Sequence, residues 1–288
     1  MTLTDRDFFM RVFARYPQNH SDYTFTNMVC WNHYAHYQYA YVNHNLILAS
    51  TIDGVTRFRP PVGPRDPDVL RSLIRLADEI SDDEPLVLID SGSARRIRDL
   101  CPGANLVFDR NHFEYVYRSR DLADLPGGTF LSIRRQVNKF RRKCSYRVVP
   151  IDTANREDVK RFLIEWCEWK GCEGEPMLAK EKDAVFFAID HFEDLQLSGL
   201  MIRAKEKIAA ISLYERLNDD TALVHFEKGL PDCEGIYKAI NTETAAILAQ
   251  DFTFINRESD LGVAGLREAK MRYHPDHMVE VYSLKRDR

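Results

Sequence analysis

Phe252-Thr253-Phe254-Ile255-Asn256-Arg257-Glu258-Ser259-Asp260-Leu261-Gly262-Val263-Ala264-Gly265-Leu266-Arg267-Glu268-Ala269-Lys270 is the stretch from which the fold is read. An apolar, strand-like run ends in charged groups, passes two glycines and enters a helix-like segment. Strand-to-helix turns of this kind are where α/β proteins place ligand sites. A structural turn needs a glycine or a cap. It does not need Arg257, Glu258, Asp260, Arg267 and Lys270 together.

Working outward, the second half alternates strands and amphipathic helices. A helix is expected over 129–143, striped by Phe130, Ile133, Val137 and Phe140. Strand 146–151 and helices 156–169 and 181–195 follow. Next come strands 199–204, 208–215 and 221–228, helix 236–249, strand 252–256, helix 265–272 and a last strand, 278–284. The first half opens with a short helix at 7–16. It continues through an aromatic run containing Tyr23, Phe25, Trp31, Tyr34, Tyr37, Tyr39 and Tyr41, with His33 and His36. That run reads as a helix leading into a strand and not as a stacking platform for bases, because no basic residue is interleaved in it. Strands 37–42, 45–51 and 55–59 are separated by turns at Asn43-His44 and Asp53-Gly54. A helix over 67–81, a strand at 86–89, a helix at 94–101 and one long strand or a pair over 106–117 complete it. Residues 118–128 read as a polar linker. The reading is therefore α/β (α+β) with two domains, 1–118 and 119–288, each a mixed, mainly antiparallel sheet flanked by helices.

The 288 residues suffice for two cores, and a net charge of −4 carries no global nucleic-acid signature. A polyanion would need a local basic patch. No apolar run approaches the ~20 residues of a membrane span, and no signal-peptide layout opens the chain, so a soluble, cytoplasmic protein is expected. The six cysteines form no Cys-x-x-Cys motif. They read as small buried hydrophobes, with neither disulfide nor structural metal.

The second-half order β-α-α-β-β-β-α-β-α-β matches the acetyltransferase (GNAT) fold, and the first half looks like a worn copy. Four motifs carry a closer resemblance: His225-Phe226-Glu227-Lys228, Gly235 to Asn241, Asn256 to Tyr273 ending at Pro275, and Asp121 to Gly128 leading into Arg134 to Phe140. Together they resemble the C-terminal catalytic domain of phosphatidylglycerol lysyltransferase. The resemblance covers essentially the whole chain. It implies a tandem GNAT-like fold related to Fem-type peptidyltransferases, which move an aminoacyl group from a charged tRNA to an amine or hydroxyl acceptor. A lipid headgroup or another small acceptor would be the partner, with at most peripheral membrane contact.

Strand alternation sets His225 and Glu227 on one face, a candidate base pair. The alternative is that Glu227 only pairs with Arg257, Arg267 or Lys270. Glu258 and Asp260 suit an α-ammonium, and Arg257, Arg267 or Lys270 a carboxylate or phosphate, with Asn256 at the strand end. Tyr237 and Asn241, four apart, share a helix face. A lattice of ion pairs is the competing reading of this whole set. Arg134, Arg135, Lys139, Arg141 and Arg142 lie off the apolar stripe of 129–143 and offer phosphate contacts for tRNA; a solvated face or anionic lipid are the other uses. Acetyltransferases cradle a coenzyme A pyrophosphate with Arg/Gln-x-x-Gly-x-Gly/Ala. Here Asp232-Cys233-Glu234-Gly235-Ile236-Tyr237 puts acids where a cation belongs, so acyl-CoA is disfavoured and no cofactor is expected. Two other functions stay open: a non-catalytic binding protein on the same scaffold, and an atypical acyl-CoA-dependent acetyltransferase.

Overall fold

The computed structural model describes residues 1–81 and 83–286. Its strands in chain order are β1 (Gln38–Val42), β2 (Asn45–Ile52), β3 (Val55–Phe58), β4 (Leu86–Ile89), β5 (Asn105–Phe108), β6 (Glu114–Arg118), β7 (Tyr146–Pro150), β8 (Ser198–Ala204), β9 (Lys207–Arg216), β10 (Thr221–Gly229), β11 (Phe254–Ser259), β12 (His277–Val279) and β13 (Tyr282–Lys285). Its α-helices are α1 (Arg6–Arg15), α2 (Phe25–Cys30), α3 (Asn32–Ala35), α4 (Pro67–Ile80), α5 (Ser91–Leu100), α6 (Ser119–Asp124), α7 (Leu131–Lys143), α8 (Arg156–Lys170), α9 (Pro176–Asp190), α10 (Ile236–Leu248) and α11 (Ala264–Met271).

The chain divides into two compact units. Unit 1 comprises Met1–Glu114, Ser259–Arg267 and Met278–Arg288, and unit 2 comprises Tyr115–Glu258 and Glu268–His277. The first crossing falls at Glu114/Tyr115, beside the expected boundary at 118, and two later segments return to unit 1.

Unit 1 holds a six-stranded sheet in the order β1-β2-β3-β4-β13-β5. Asn43 and His44 both take positive φ, as does Asp53 before Gly54, so the two expected hairpin turns form where a left-handed backbone is tolerated. α4 starts because Asp66 accepts the backbone N–H groups of Asp68 and Val69, with Pro67 in the first turn. Its Leu70, Leu73 and Ala77 pack with Ala94 and Ile97 of α5 over Phe58, Leu86, Ile89 and Leu284. That β13 lies between β4 and β5 was not expected. The last predicted strand is in fact two, β12 and β13, which belong to different sheets. The 106–117 segment divides likewise into β5 and β6.

Unit 2 is built on the seven-stranded order β12-β6-β11-β10-β9-β8-β7. β7 to β10 pair antiparallel, whereas β10 and β11 pair parallel, Thr221–Leu223 against Phe254–Asn256. Phe140 of α7 and Ile236, Ala239 and Ile240 of α10 cover Leu200 and Ile202 of β8 and Ala210 of β9. The polar linker contains the short helix α6, which packs on α10. α9 starts earlier than predicted because Pro176 stands in its first turn, a start signal that the apolar stripe alone overlooks.

The expectation of no disulfide is corrected. Cys144 pairs with Cys233 and Cys167 with Cys172, their Cα atoms 6.4 and 5.1 Å apart. The first pair is 89 residues apart in sequence. Packing of α7 on α10 brings it together, which no spacing rule can show. The second closes because Gly171, at φ +69, turns the chain back at the end of α8.

Candidate functional site

Glu227 and Arg257 stand near the carboxyl ends of the parallel strands β10 and β11, where open α/β sheets place ligands. Their side chains form an ion pair with little exposure on either side. Asn241 of α10 sits beside the pair: its amide oxygen accepts from Arg257 Nε and Nη1 at 3.2 Å each. The guanidinium also lies 5.0 Å from the Tyr273 ring centroid and 5.9 Å from that of Tyr117. Burial opposes the charge on Arg257, but the Glu227 carboxylate outweighs it and its basicity is raised.

Lys238, three residues before Asn241 on α10, completes this centre. Its Nζ lies 4.4 Å from the Tyr273 ring, and it has no ion-pair partner among the described residues. Burial, then Arg257 and Arg272, lower its pKa to about 8. Sequence reasoning misses it. The signal is its i, i+3 spacing to Asn241, which the i, i+4 pair Tyr237–Asn241 overshadows. That pair diverges: Asn241 is buried, whereas the Tyr237 hydroxyl accepts from Trp166 Nε1 at 3.1 Å.

His225 does not share the Glu227 cluster. β10 carries one extra residue opposite β9, between Val224 (facing Tyr214) and Phe226 (facing Leu213), so strict alternation fails at His225. Its buried ring lies between two carboxylates, with Nε2 2.9 Å from Glu215 Oε1 and Nδ1 3.1 Å from Glu258 Oε1. Burial favours the neutral ring, but the hydrogen bonds and charges of Glu215 and Glu258 push its pKa up to about 10. At neutral pH it is an imidazolium donating at both nitrogens, not a proton acceptor.

The charges that follow Ile255 do not form one group. Glu258 adopts φ +60, outside strand geometry, and its N–H donates to Asn256 Oδ1 at 2.8 Å. Lys270 Nζ donates to the carbonyls of Arg257 (2.6 Å) and Glu258 (3.0 Å), fastening that bend; Tyr117 Oη in turn donates to the Lys270 carbonyl at 2.9 Å. All of these belong to unit 2. Asp260 and Arg267 belong to unit 1. The fully buried Asp260 carboxylate accepts from Arg267 Nε and Nη2 (2.9 Å each), Arg110 Nη1 (3.2 Å) and the Gly262 N–H (2.9 Å). This is an ion-pair bracket at the start of α11.

The basic helix is partly spent. Arg134 donates to the carbonyls of Leu125 and Gly127, Lys139 pairs with Glu234, and Arg141 pairs with Glu243 at 3.0 Å. Arg135 and Arg142, seven apart on one face of α7, are exposed and have no ion pair among the described residues. The loop expected to reject coenzyme A packs its backbone tightly on α7, and of its acids Glu234 is paired with Lys139 and Lys143. Gly235 takes φ +91, and a Cβ there would come within 2.7 Å of the Gln136 carbonyl. A cavity of about 720 Å³ elsewhere in unit 2 is lined by Ile164, Cys167, Gly171, Lys182 and Phe186, and none of the expected site residues borders it.

No curated protein gives a significant match. A conserved protein of unknown function from Bacteroides thetaiotaomicron superposes with a TM-score of 0.92 at 29% identity, over 100% of this chain and 98% of that one. The C-terminal domain of a putative lysylphosphatidylglycerol synthetase from Agrobacterium fabrum gives 0.71 at 12% identity, over 99% and 92%. FemX (0.59, 9%) and a tandem GNAT protein from the clavulanic acid pathway (0.51, 12%) share the fold, covering 99% of this chain and 96% and 94% of theirs. The expected tandem GNAT-like architecture is therefore present. The sequence profile named phosphatidylglycerol lysyltransferase, C-terminal, matches residues 13–285, and the chain belongs to that family.

Proposed function

We propose that the protein transfers an aminoacyl group from aminoacyl-tRNA to an amine or hydroxyl acceptor, a lipid headgroup or another small molecule. Family membership supports acyl transfer. The observation that carries the reading is the Glu227–Arg257–Asn241 centre with Lys238 beside it, because it joins a fixed carboxylate to an amine that is partly neutral near pH 7.

In this reading Glu227 accepts a hydrogen bond from the attacking amine or hydroxyl, and Arg257, itself held by the Asn241 oxygen, keeps its carboxylate in place. Lys238 takes the proton as the new acyl bond forms. The ester C–O bond to the tRNA ribose then breaks, and that oxygen takes the proton back from Lys238. The ester is already activated, so positioning and proton transfer suffice. His225 contributes as a fixed cation tying Glu215 to Glu258. Arg135 and Arg142 supply phosphate contacts. Asp232, standing where the acetyltransferase loop has a cation, speaks against acyl-CoA as the donor. The mutual pairing of most charged groups favours the second reading, a ligand-binding protein without turnover.

The test is incubation of the purified protein with labelled bulk aminoacyl-tRNA and extracted lipids or small-molecule amines, with labelled acetyl-CoA in parallel. Label moving from tRNA to an acceptor is the expected result. Transfer from acetyl-CoA alone overturns it, and binding without turnover establishes the second reading.

A further inference from the structure

The aromatic run around Tyr37 to Tyr41 holds no cation of its own, but folding brings cations to it from α1. Phe8 packs edge-on against Tyr41 (5.2 Å between ring centroids) and stacks on Tyr39 at 5.8 Å. Arg11 and Arg15, one turn apart on α1, then lie beside Tyr41, Tyr16 and His44 around a cavity of about 330 Å³. No carboxylate lines it. Both arginines are exposed, and neither has an ion pair among the described residues. Elsewhere the chain commonly pairs its arginines with acids, as in Arg71–Asp68 and Arg272–Glu268.

The hairpin turn fixes the far wall. His44 takes φ +62 and sets its ring edge-on to Tyr41 at 6.3 Å. A Cβ at residue 63 would stand 2.6 Å from the His44 carbonyl, so only glycine lets this segment pass and seat Pro64 at the rim.

Arg15 lies over the Tyr16 ring, 5.6 Å from its centroid, whereas Tyr41 is 48% exposed. We propose that this cavity binds one nucleotide unit of a single-stranded nucleic acid, with its phosphate on Arg11 and Arg15 and its base against the exposed ring of Tyr41. Two cations without a counter-charge suit a phosphate. The exposed Tyr41 ring suits a flat base, and stacking of this kind tolerates any sequence. The volume lies at the small end of ligand cavities and has no room for a duplex or a peptide. A lipid phosphate would use the arginines but leave the Tyr41 ring without a role. The inference concerns unit 1 alone and does not depend on catalysis.

Fluorescence anisotropy of the full chain with a labelled single-stranded oligoribonucleotide tests it. Arg11→Ala with Arg15→Ala is expected to weaken binding by about tenfold or more and to lower the salt slope by about 0.7, the share of the one phosphate no longer neutralised. Tyr41→Ala is expected to cost about tenfold and Tyr41→Phe little. A nucleoside 5′-monophosphate should compete better than inorganic phosphate. These side chains are exposed, and circular dichroism confirms that the variants fold. Unchanged affinity in the double arginine variant overturns the proposal. So does loss of binding to anionic vesicles, but not to the oligonucleotide, in that variant. Absence of transfer with this binding intact would reject only the catalytic reading.

Discussion

Two carboxylate–arginine pairs, Asp260 with Arg267 and Glu227 with Arg257, share the run after Ile255 and differ in how fully they are satisfied. Asp260 accepts from both arms of Arg267, from Arg110 and from the Gly262 N–H. Glu227 meets Arg257, which Asn241 holds in turn, beside two tyrosine rings and a lysine of lowered pKa. A carboxylate whose oxygens are already filled by protein donors has nothing left for a substrate. A carboxylate held by one arginine, beside a partly neutral amine, does. Residue type does not separate the two. Local saturation does.

The comparison breaks first on stability. Asp260→Ala leaves two arginines without their buried partner and is expected to cost about 3–5 kcal/mol in urea unfolding. A smaller loss would remove Asp260 from the structural role. Glu227→Gln keeps the shape of the other pair, so transfer should fall about 100-fold or more while substrate binding changes little; comparable stability loss in both variants would make the two pairs alike.

The His225 bridge gives a pH signature. Its folded-state pKa is raised from 6.5 to about 10, so its two ion pairs stabilise fully below about pH 6.5, and that stability is lost as pH rises towards 10. The urea midpoint should fall between pH 6.5 and 10 in the native protein and fall less in His225→Gln. Lys238→Met should reduce transfer about tenfold and remove a rise in rate centred near pH 8, where the wild-type amine loses its proton. The smallest effect belongs to the surface. Arg135→Ala with Arg142→Ala should weaken tRNA binding a few-fold at moderate salt and flatten its salt dependence. Arg134→Ala, which frees the Leu125 and Gly127 carbonyls, should instead lower stability.

What the sequence made legible was largely local. The hairpins followed from Asn43-His44 and Asp53-Gly54, and the acetyltransferase order followed from apolar periodicity. The motif from Gly235 to Asn241 lies on α10, which carries Asn241 and Lys238 of the candidate centre. What escaped it was set by tertiary contact. A single extra residue on β10 rotates His225 away from Glu227. The run after Ile255 is contiguous in sequence but divides between two units within three residues of Arg257, which no periodicity reveals. The cations beside the aromatic run come from α1, and Cys144 finds Cys233 only once α7 and α10 have packed. Pro176 is the exception, a local start signal that periodicity alone overlooks.

The placement of β13 has a consequence for biosynthesis. Its residues, 282–285, lie between β4 and β5, so the first sheet lacks an interior strand until the whole second unit up to β12 has been made. The N-terminal half therefore cannot complete its fold on the ribosome ahead of the second. Closing so distant a contact is slow, and it leaves the edge of β4 open to mispairing while translation continues.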